Sequence, residues 1–185
     1  MAFDPYALPP DLPAPVDDGG ADHLPGSAIP AVRLDSSQGP VDLAELAAER
    51  LVLYVYPRTG TPGVDPPEGW DDYPGARGCT PQSCGFRDHT EELTSLGARV
   101  AGLSAQTLSE QVEFAERTHM PYPVLADPQL ALCDSLGLPT FAIAGMTLYK
   151  RLALVAEHGT VVKAFYPVFP PDRNAGDVVA WLRER

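Results

Sequence analysis

Six consecutive apolar residues, Leu51-Val52-Leu53-Tyr54-Val55-Tyr56, followed at once by Pro57, constrain this chain more than any other segment. With no polar position in the run, neither face of a strand formed by it can meet water. Such a strand belongs in the middle of a sheet covered on both sides, as in parallel α/β folds. Pro57 has no N–H to give to a ladder and ends it. A short helix is predicted before it, over 43–49. Beyond it, Arg99-Val100-Ala101-Gly102-Leu103 is a second strand. A helix over 108–118, with Val112, Phe114 and Ala115 partly inward, leads to a short strand at 123–125 and a short helix over 128–136. Apolar segments 152–155 and 161–165 flank a turn centred on His158-Gly159, which predicts an antiparallel hairpin. A helix containing 178–183, capped by Asp172 or Asn174, closes the chain.

The segment after Pro57 is rich in Pro, Gly and Asp and leads to Gly78-Cys79-Thr80-Pro81-Gln82-Ser83-Cys84. This heptad reads as a helix start, with Thr80 as its cap and Pro81 in its first turn. The helix runs to about Leu96, and Gly97 closes it. Two of the three cysteines thus lie five residues apart, the first at a helix N-terminus. Unpaired backbone N–H groups and the positive end of the helix dipole favour negative charge there, and the thiolate is the reactive form of cysteine. A strand, a redox-type cysteine at the next helix start and a terminal hairpin plus helix predict an α/β thioredoxin-like sandwich, a mixed central sheet flanked by helices.

Charge narrows the function. The net charge is −12, with 25 acidic against 13 basic residues, so neither nucleic acid nor an anionic membrane is an expected partner. No apolar run approaches the roughly 18 residues of a membrane span, and the N-terminus carries no basic-then-apolar leader. The expected location is the cytoplasm. In a reducing compartment a close cysteine pair points to catalysis, redox exchange or metal binding. Cys79, Cys84 and His89 match no common zinc spacing, so no metal is expected. Cys133 reads as a small core residue on a short helix. Residues 1–22, rich in Pro, Gly and Asp without periodicity, read as a flexible or loosely docked tail, and 23–185 as the folded domain.

The heptad and its surroundings resemble the peroxiredoxin family, closest to its bacterioferritin-comigratory or Q-type class. Tyr56-Pro57-Arg58-Thr59-Gly60-Thr61-Pro62-Gly63 matches the front of the family motif, and Gly78 to Asp88 the back. The resemblance implies that Cys79 is the peroxidatic and Cys84 the resolving cysteine of a thiol peroxidase acting on hydrogen peroxide or organic hydroperoxides. It further implies a thioredoxin-like reductant and no metal, haem or flavin cofactor. The disulfide would lie within one subunit, so a monomer suffices, with a weak homodimer left open. Five residues of continuous helix separate Cα atoms by roughly 8–9 Å, and a disulfide tolerates at most about 7 Å. The helix start, roughly residues 79–86, is therefore expected to unwind in each cycle.

The chain departs from the family pattern in two places. Residues 64–77 are an insertion between the halves of the motif, leaving Ala76 where the family has threonine. Thr61 can supply the peroxide-binding hydroxyl only if the inserted loop folds back beside Cys79. The family also places an arginine on a late strand to stabilise the thiolate. Here Lys150 and Arg151 compete for that place, and on a strand they face opposite ways. A guanidinium, always charged and able to hold two oxygens, suits the task better, so Arg151 with a small bulge is preferred. Trp70 and Tyr73 on the insertion read as a lid, a partner contact or loop packing. Arg87 and Asp88 read as braces for the helix, and the stretch from Tyr166 to Pro171 as packing or an interface. Two rival functions are a thiol–disulfide oxidoreductase, which would normally carry Cys-x-x-Cys, and a non-enzymatic peroxide sensor.

Overall fold

The computed structural model describes residues 3–185, so the first two residues of the expected tail lie outside the described residues. Strand β1 (Arg33–Ser36), strand β2 (Val41–Asp42) and helix α1 (Leu43–Leu46) precede the central strand β3 (Arg50–Val55). Helices α2 (Cys79–Asp88) and α3 (Thr90–Ser95) lead to β4 (Arg99–Ser104), and α4 (Leu108–Thr118) leads to β5 (Val124–Ala126). Helix α5 (Ala131–Leu136), hairpin β6–β7 (Thr140–Ile143, Met146–Tyr149), hairpin β8–β9 (Leu152–Glu157, Thr160–Phe165) and α6 (Asn174–Arg183) complete the chain.

Seven strands form one sheet in the order β2-β1-β5-β4-β3-β8-β9. Strand β3 pairs parallel with β4 and antiparallel with β8, so the sheet is mixed and β3 lies inside it. The two faces of β3 divide the core with a period of two. Leu51, Leu53 and Val55 join the cluster under α1 and α5, which includes Leu43 and Leu132. Val52, Tyr54 and Tyr56 join the other, with Phe86 of α2, Phe114 of α4 and Val178 of α6. Both clusters are buried, which is the reason a run without a polar residue is tolerated. The fold is thus the predicted helix-flanked mixed sheet of thioredoxin-like type.

Several local expectations are corrected. The single helix expected to reach Leu96 is two, broken at His89, whose φ of −97° and ψ of 8° leave the α region while its Nδ1 meets the Gly85 carbonyl at 2.8 Å. Neither Asp172 nor Asn174 caps the last helix: a 3₁₀ turn over Pro171–Arg173 enters it, and Asn174 has another partner described below. Thr80 does not cap α2 either; its buried hydroxyl has no partner among the described residues. The cap position belongs to Gly78, at φ 104°. A Cβ there would lie 2.3 Å from Pro171 and 2.9 Å from Leu8, so only glycine fits between the tail and the 3₁₀ turn. Three elements were unforeseen: β1, β2 and the β6–β7 hairpin.

The inserted loop is held by its own small core. Trp70 and Ala76 are buried with Phe141 and Leu148 of the β6–β7 hairpin, and Tyr73 stacks on Phe141 with centroids 4.2 Å apart. Of the readings for Trp70 and Tyr73, loop packing is thus observed. The tail lies against the loop. The buried Arg77 guanidinium donates to the carbonyls of Asp4 (2.8 Å) and Ala7 (3.2 Å), sits 4.4 Å from the Phe3 ring centroid and pairs with Asp71. Further along, Asp18 pairs with Lys150 and accepts from Tyr166 Oη at 2.6 Å. These donors, the Lys150 ammonium first, hold its carboxyl well below the usual carboxylate range.

Candidate active site

Strand β3 ends at Val55 beside Leu103 of β4, and the chain returns through the inserted loop to begin α2 at Cys79. Cys79 is 3% exposed and packs in the cluster containing Tyr54, Tyr56 and Phe86. The fully buried Tyr54 and Tyr56 hydroxyls have their pKa values pushed up, chiefly by burial, and stay neutral. Tyr56 donates to Gln111 at 2.8 Å, and Tyr122 bridges Tyr54 to the Ser83 carbonyl of α2 at 3.1 Å.

Arg151 closes the site from the other side. Its Nη2 lies 3.2 Å from Cys79 Sγ and is also within 3.2 Å of the carbonyls of Gly75, Ala76 and Arg77. Its Nη1 donates to Gln82 Oε1 at 2.5 Å, and Gln82 Nε2 in turn donates to Asn174 Oδ1 at 2.9 Å. Helix α2 therefore holds both the thiol and the group that orients the arginine, three residues apart on one face. Arg151 is 4% exposed and has no carboxylate partner among the described residues. A buried cation needs an anion or a full set of acceptors. Among the described residues its partners are otherwise a side-chain amide oxygen and three backbone carbonyls, so Cys79 Sγ is the one partner of ionisable type.

The sequence candidates separate clearly. Cys79 and Arg151 are brought together, and Lys150 faces Asp18 instead. The geometry differs from a bulged strand: Lys150 and Arg151 form the link between β7 and β8, and the register shift of the β8–β9 pair lies further on, at Val155/Ala156. Cys84 is half-buried one turn and a half along α2, and burial pushes its thiol pKa up. Its helix is continuous from Cys79, so the two sulfurs face different directions while α2 is wound. Thr61 is not brought to Cys79. It is exposed and lines a separate cavity with Trp70 and Met146, because the insertion packs on the β6–β7 hairpin instead of folding Thr61 back. Arg87 braces α2 on α4 by donating to the Thr118 carbonyl at 2.9 Å. Sequence reasoning missed Gln82 and Asn174. The three-residue spacing of Gln82 from Cys79 was its available signal; Asn174 had none.

Among the described residues, no group of three metal-ligating side chains is present, and no helix is long and apolar enough to cross a membrane. Fold and site together define a redox protein of the thioredoxin-like type, built on a helix-start cysteine. The Redoxin family profile matches residues 24–179, and the chain belongs to that family. It is 26% identical over 162 residues to the bcp protein of Coxiella burnetii, covering 85% of this chain and 97% of that one. With peroxiredoxin bcp1 of Schizosaccharomyces pombe it shares 32% over 137 residues, 72% of this chain and 63% of the yeast protein. The crystal structure of peroxidoxin BcpB from Mycobacterium tuberculosis superposes with a TM-score of 0.70 at 26% identity, covering 88% of this chain and 98% of the other.

Proposed function

We propose that this chain is a thiol-dependent peroxidase in which Cys79 is the peroxidatic sulfur and Cys84 resolves it within one subunit. The observation that carries the reading is the 3.2 Å approach of Arg151 Nη2 to Cys79 Sγ in a site without a carboxylate counter-ion. Membership of the Redoxin family and likeness to proteins named as peroxiredoxins support it.

The chemistry follows from these groups. The Cys79 thiolate attacks the terminal oxygen of ROOH; the O–O bond breaks, and the sulfur loses two electrons to become a sulfenic acid. The other oxygen leaves as ROH after taking up a proton, or as water when R is hydrogen. Arg151, fixed by Gln82, faces the charge that develops on the oxygens, and its planar fork suits two acceptors. The Cys84 thiol then attacks the sulfenic sulfur, forming the disulfide and releasing water. A thioredoxin-like dithiol returns both thiols and is itself oxidised. Thr61 has no part in this scheme, since its hydroxyl lies on another surface. In the first turn of α2, Pro81 has no N–H and the Gln82 N–H is taken by the Gly78 carbonyl, which leaves the N–H groups of Cys79 and Thr80 as further donors beside the sulfur. Residues 23–185 form the peroxidase domain, a monomer suffices, and a reducing compartment such as the cytoplasm suits a thiol cycle.

The test is an intact mass and peptide map of the reduced protein after one equivalent of hydrogen peroxide. Rapid loss of two hydrogens mapping to a Cys79–Cys84 bond is the expected result. Unchanged thiols, or a bond using Cys133, would overturn the assignment.

A further inference from the structure

The N-terminal tail lies before residue 24, where the Redoxin match begins, and it crosses the segment that leads into α2. Its far end is held by Asp18, which is paired with Lys150 and accepts from Tyr166. From there Pro15 reaches Gly75, where an added Cβ would lie 3.6 Å from it. Leu12 and Pro13 pass Arg77 and Arg151, leaving a void of 10 Å³, room for a single water at most. Leu8 then packs on Gly78, the carbonyls of Ala7 and Asp4 accept from Arg77, and Tyr6 Oη accepts from Arg117 of α4 at 2.9 Å. Gly75, Arg77 and Gly78 thus all carry tail contacts, and Cys79 is the next residue.

We infer that the tail is a redox-linked strap: docked, it holds the start of α2 wound, opposes the Cys79–Cys84 disulfide and prolongs the life of the Cys79 sulfenic acid. The inference rests on the peroxidase reading above for that sulfenic acid and adds a regulatory segment to it. Two observations carry it. The two sulfurs cannot join while α2 is continuous, since five residues of helix hold the Cα atoms too far apart. The grip of the tail falls where that unwinding must begin. Gly78 has no room for a Cβ between Leu8 and Pro171, and one nitrogen of the buried Arg77 holds two tail carbonyls. Swinging Cys79 toward Cys84 turns the chain at these two residues and breaks both contacts. Coupling of this kind is reciprocal. A disulfide that loosens the tail by some factor is disfavoured by the docked tail by the same factor. The step needs no further reactant: the Cys84 thiol displaces water from the sulfenic sulfur, and the strap sets how long the pair must wait.

The experiment equilibrates the full-length protein with mixtures of reduced and oxidised dithiothreitol and reads the fraction of Cys79–Cys84 disulfide by mass after acid quenching and alkylation. Wild type is compared with Leu8→Asp, which sets a carboxylate against Gly78, and with Val16→Asp, at a tail position 84% exposed. Leu8 belongs to none of the buried clusters, so its replacement leaves the core in place. Leu8→Asp should raise the equilibrium constant for the disulfide about tenfold, which lowers the reduction potential by about 30 mV. It should also shorten the life of the sulfenic acid, trapped with dimedone after one equivalent of hydrogen peroxide, without slowing the oxidation of Cys79. Val16→Asp should leave potential and lifetime unchanged. Equal potentials and lifetimes in all three proteins, or a slower peroxide step in Leu8→Asp, would overturn the strap. The redox buffer forms the disulfide without peroxide. A wild type inert to hydrogen peroxide would therefore overturn the peroxidase reading, while the potentials still decide the strap.

Discussion

Gln82 accepts a 2.5 Å hydrogen bond from Nη1 of Arg151 while standing three residues after Cys79 on the same helix. The thiol and the orientation of its cation are therefore coupled through one turn of α2, and any unwinding of that turn disturbs both.

The first prediction concerns the cation itself. Arg151→Met removes a preorganised donor from a buried site and should slow oxidation of Cys79 by hydrogen peroxide about 10²–10³-fold. Lys150→Met removes an ion pair at the surface and should change that rate by less than about fivefold. Stopped-flow oxidation of the two variants decides between them, and the reverse ranking would transfer the role to Lys150.

Gln82 acts through Arg151 and is a positioning residue. Gln82→Ala leaves Arg151 Nη1 and the Asn174 amide without their partner, at a cost of about 1–3 kcal/mol in stability. Gln82→Glu separates positioning from packing. The new carboxylate competes with the Cys79 thiolate for the guanidinium, so peroxide reactivity should fall while the thermal midpoint holds or rises. Retained reactivity in Gln82→Glu would mean that the arginine does not stabilise negative charge on sulfur.

Disulfide formation must also disturb the tail. Cys79 and Cys84 cannot join while α2 is continuous. Gly78, at its start, packs against Leu8, and the neighbouring Arg77 holds the carbonyls of Asp4 and Ala7. Oxidised protein should therefore exchange amide hydrogens faster over residues 3–20 and 79–86 than reduced protein, and should be cut faster in the tail by a nonspecific protease. Equal protection in both states would show that α2 rearranges beneath a fixed tail.

The pH dependence of resolution follows from Cys84. Burial raises its thiol pKa above the ordinary 9.0, so at neutral pH it is overwhelmingly protonated while α2 is wound. Decay of the Cys79 sulfenic acid should accelerate as pH rises through and beyond 9, measured by trapping with dimedone in a pH series. The stability linkage has the opposite slope: the folded state binds this proton more tightly than the unfolded chain. That contribution is complete below the unfolded thiol pKa and is lost as pH rises through the folded one. A resolution rate flat from pH 6 to 10 would mean that unwinding, and not ionisation, limits the step.

Much of the frame was legible in sequence because it rests on local patterns. The apolar run before Pro57, the helix over 108–118 and the turn at His158-Gly159 each carry their signal within a dozen residues, and the structure has α4 at Leu108–Thr118. The β6–β7 hairpin was missed although Ala144-Gly145, with φ of 48° and 74°, is a tight turn between alternating residues. Its strands form a separate two-stranded sheet, and residues 137–149 were assigned no element from sequence. Breaking the helix at His89 took a side chain reaching back to its own turn, which propensity does not record.

The sequence by itself determined the central strand, the helix-start cysteine and the spacing of Cys84, since each depends on neighbours a few residues away. Only the tertiary structure decided which cation meets the thiol, that Gln82 and Asn174 hold it, and that Thr61 stands elsewhere. Arg151 reaches Cys79 across 72 residues of chain. That contact depends on how the insertion packs against the β6–β7 hairpin and on the position of the link between β7 and β8. Long-range packing of this kind is set by volume and buried charge over the whole core, and no local stretch of sequence carries it.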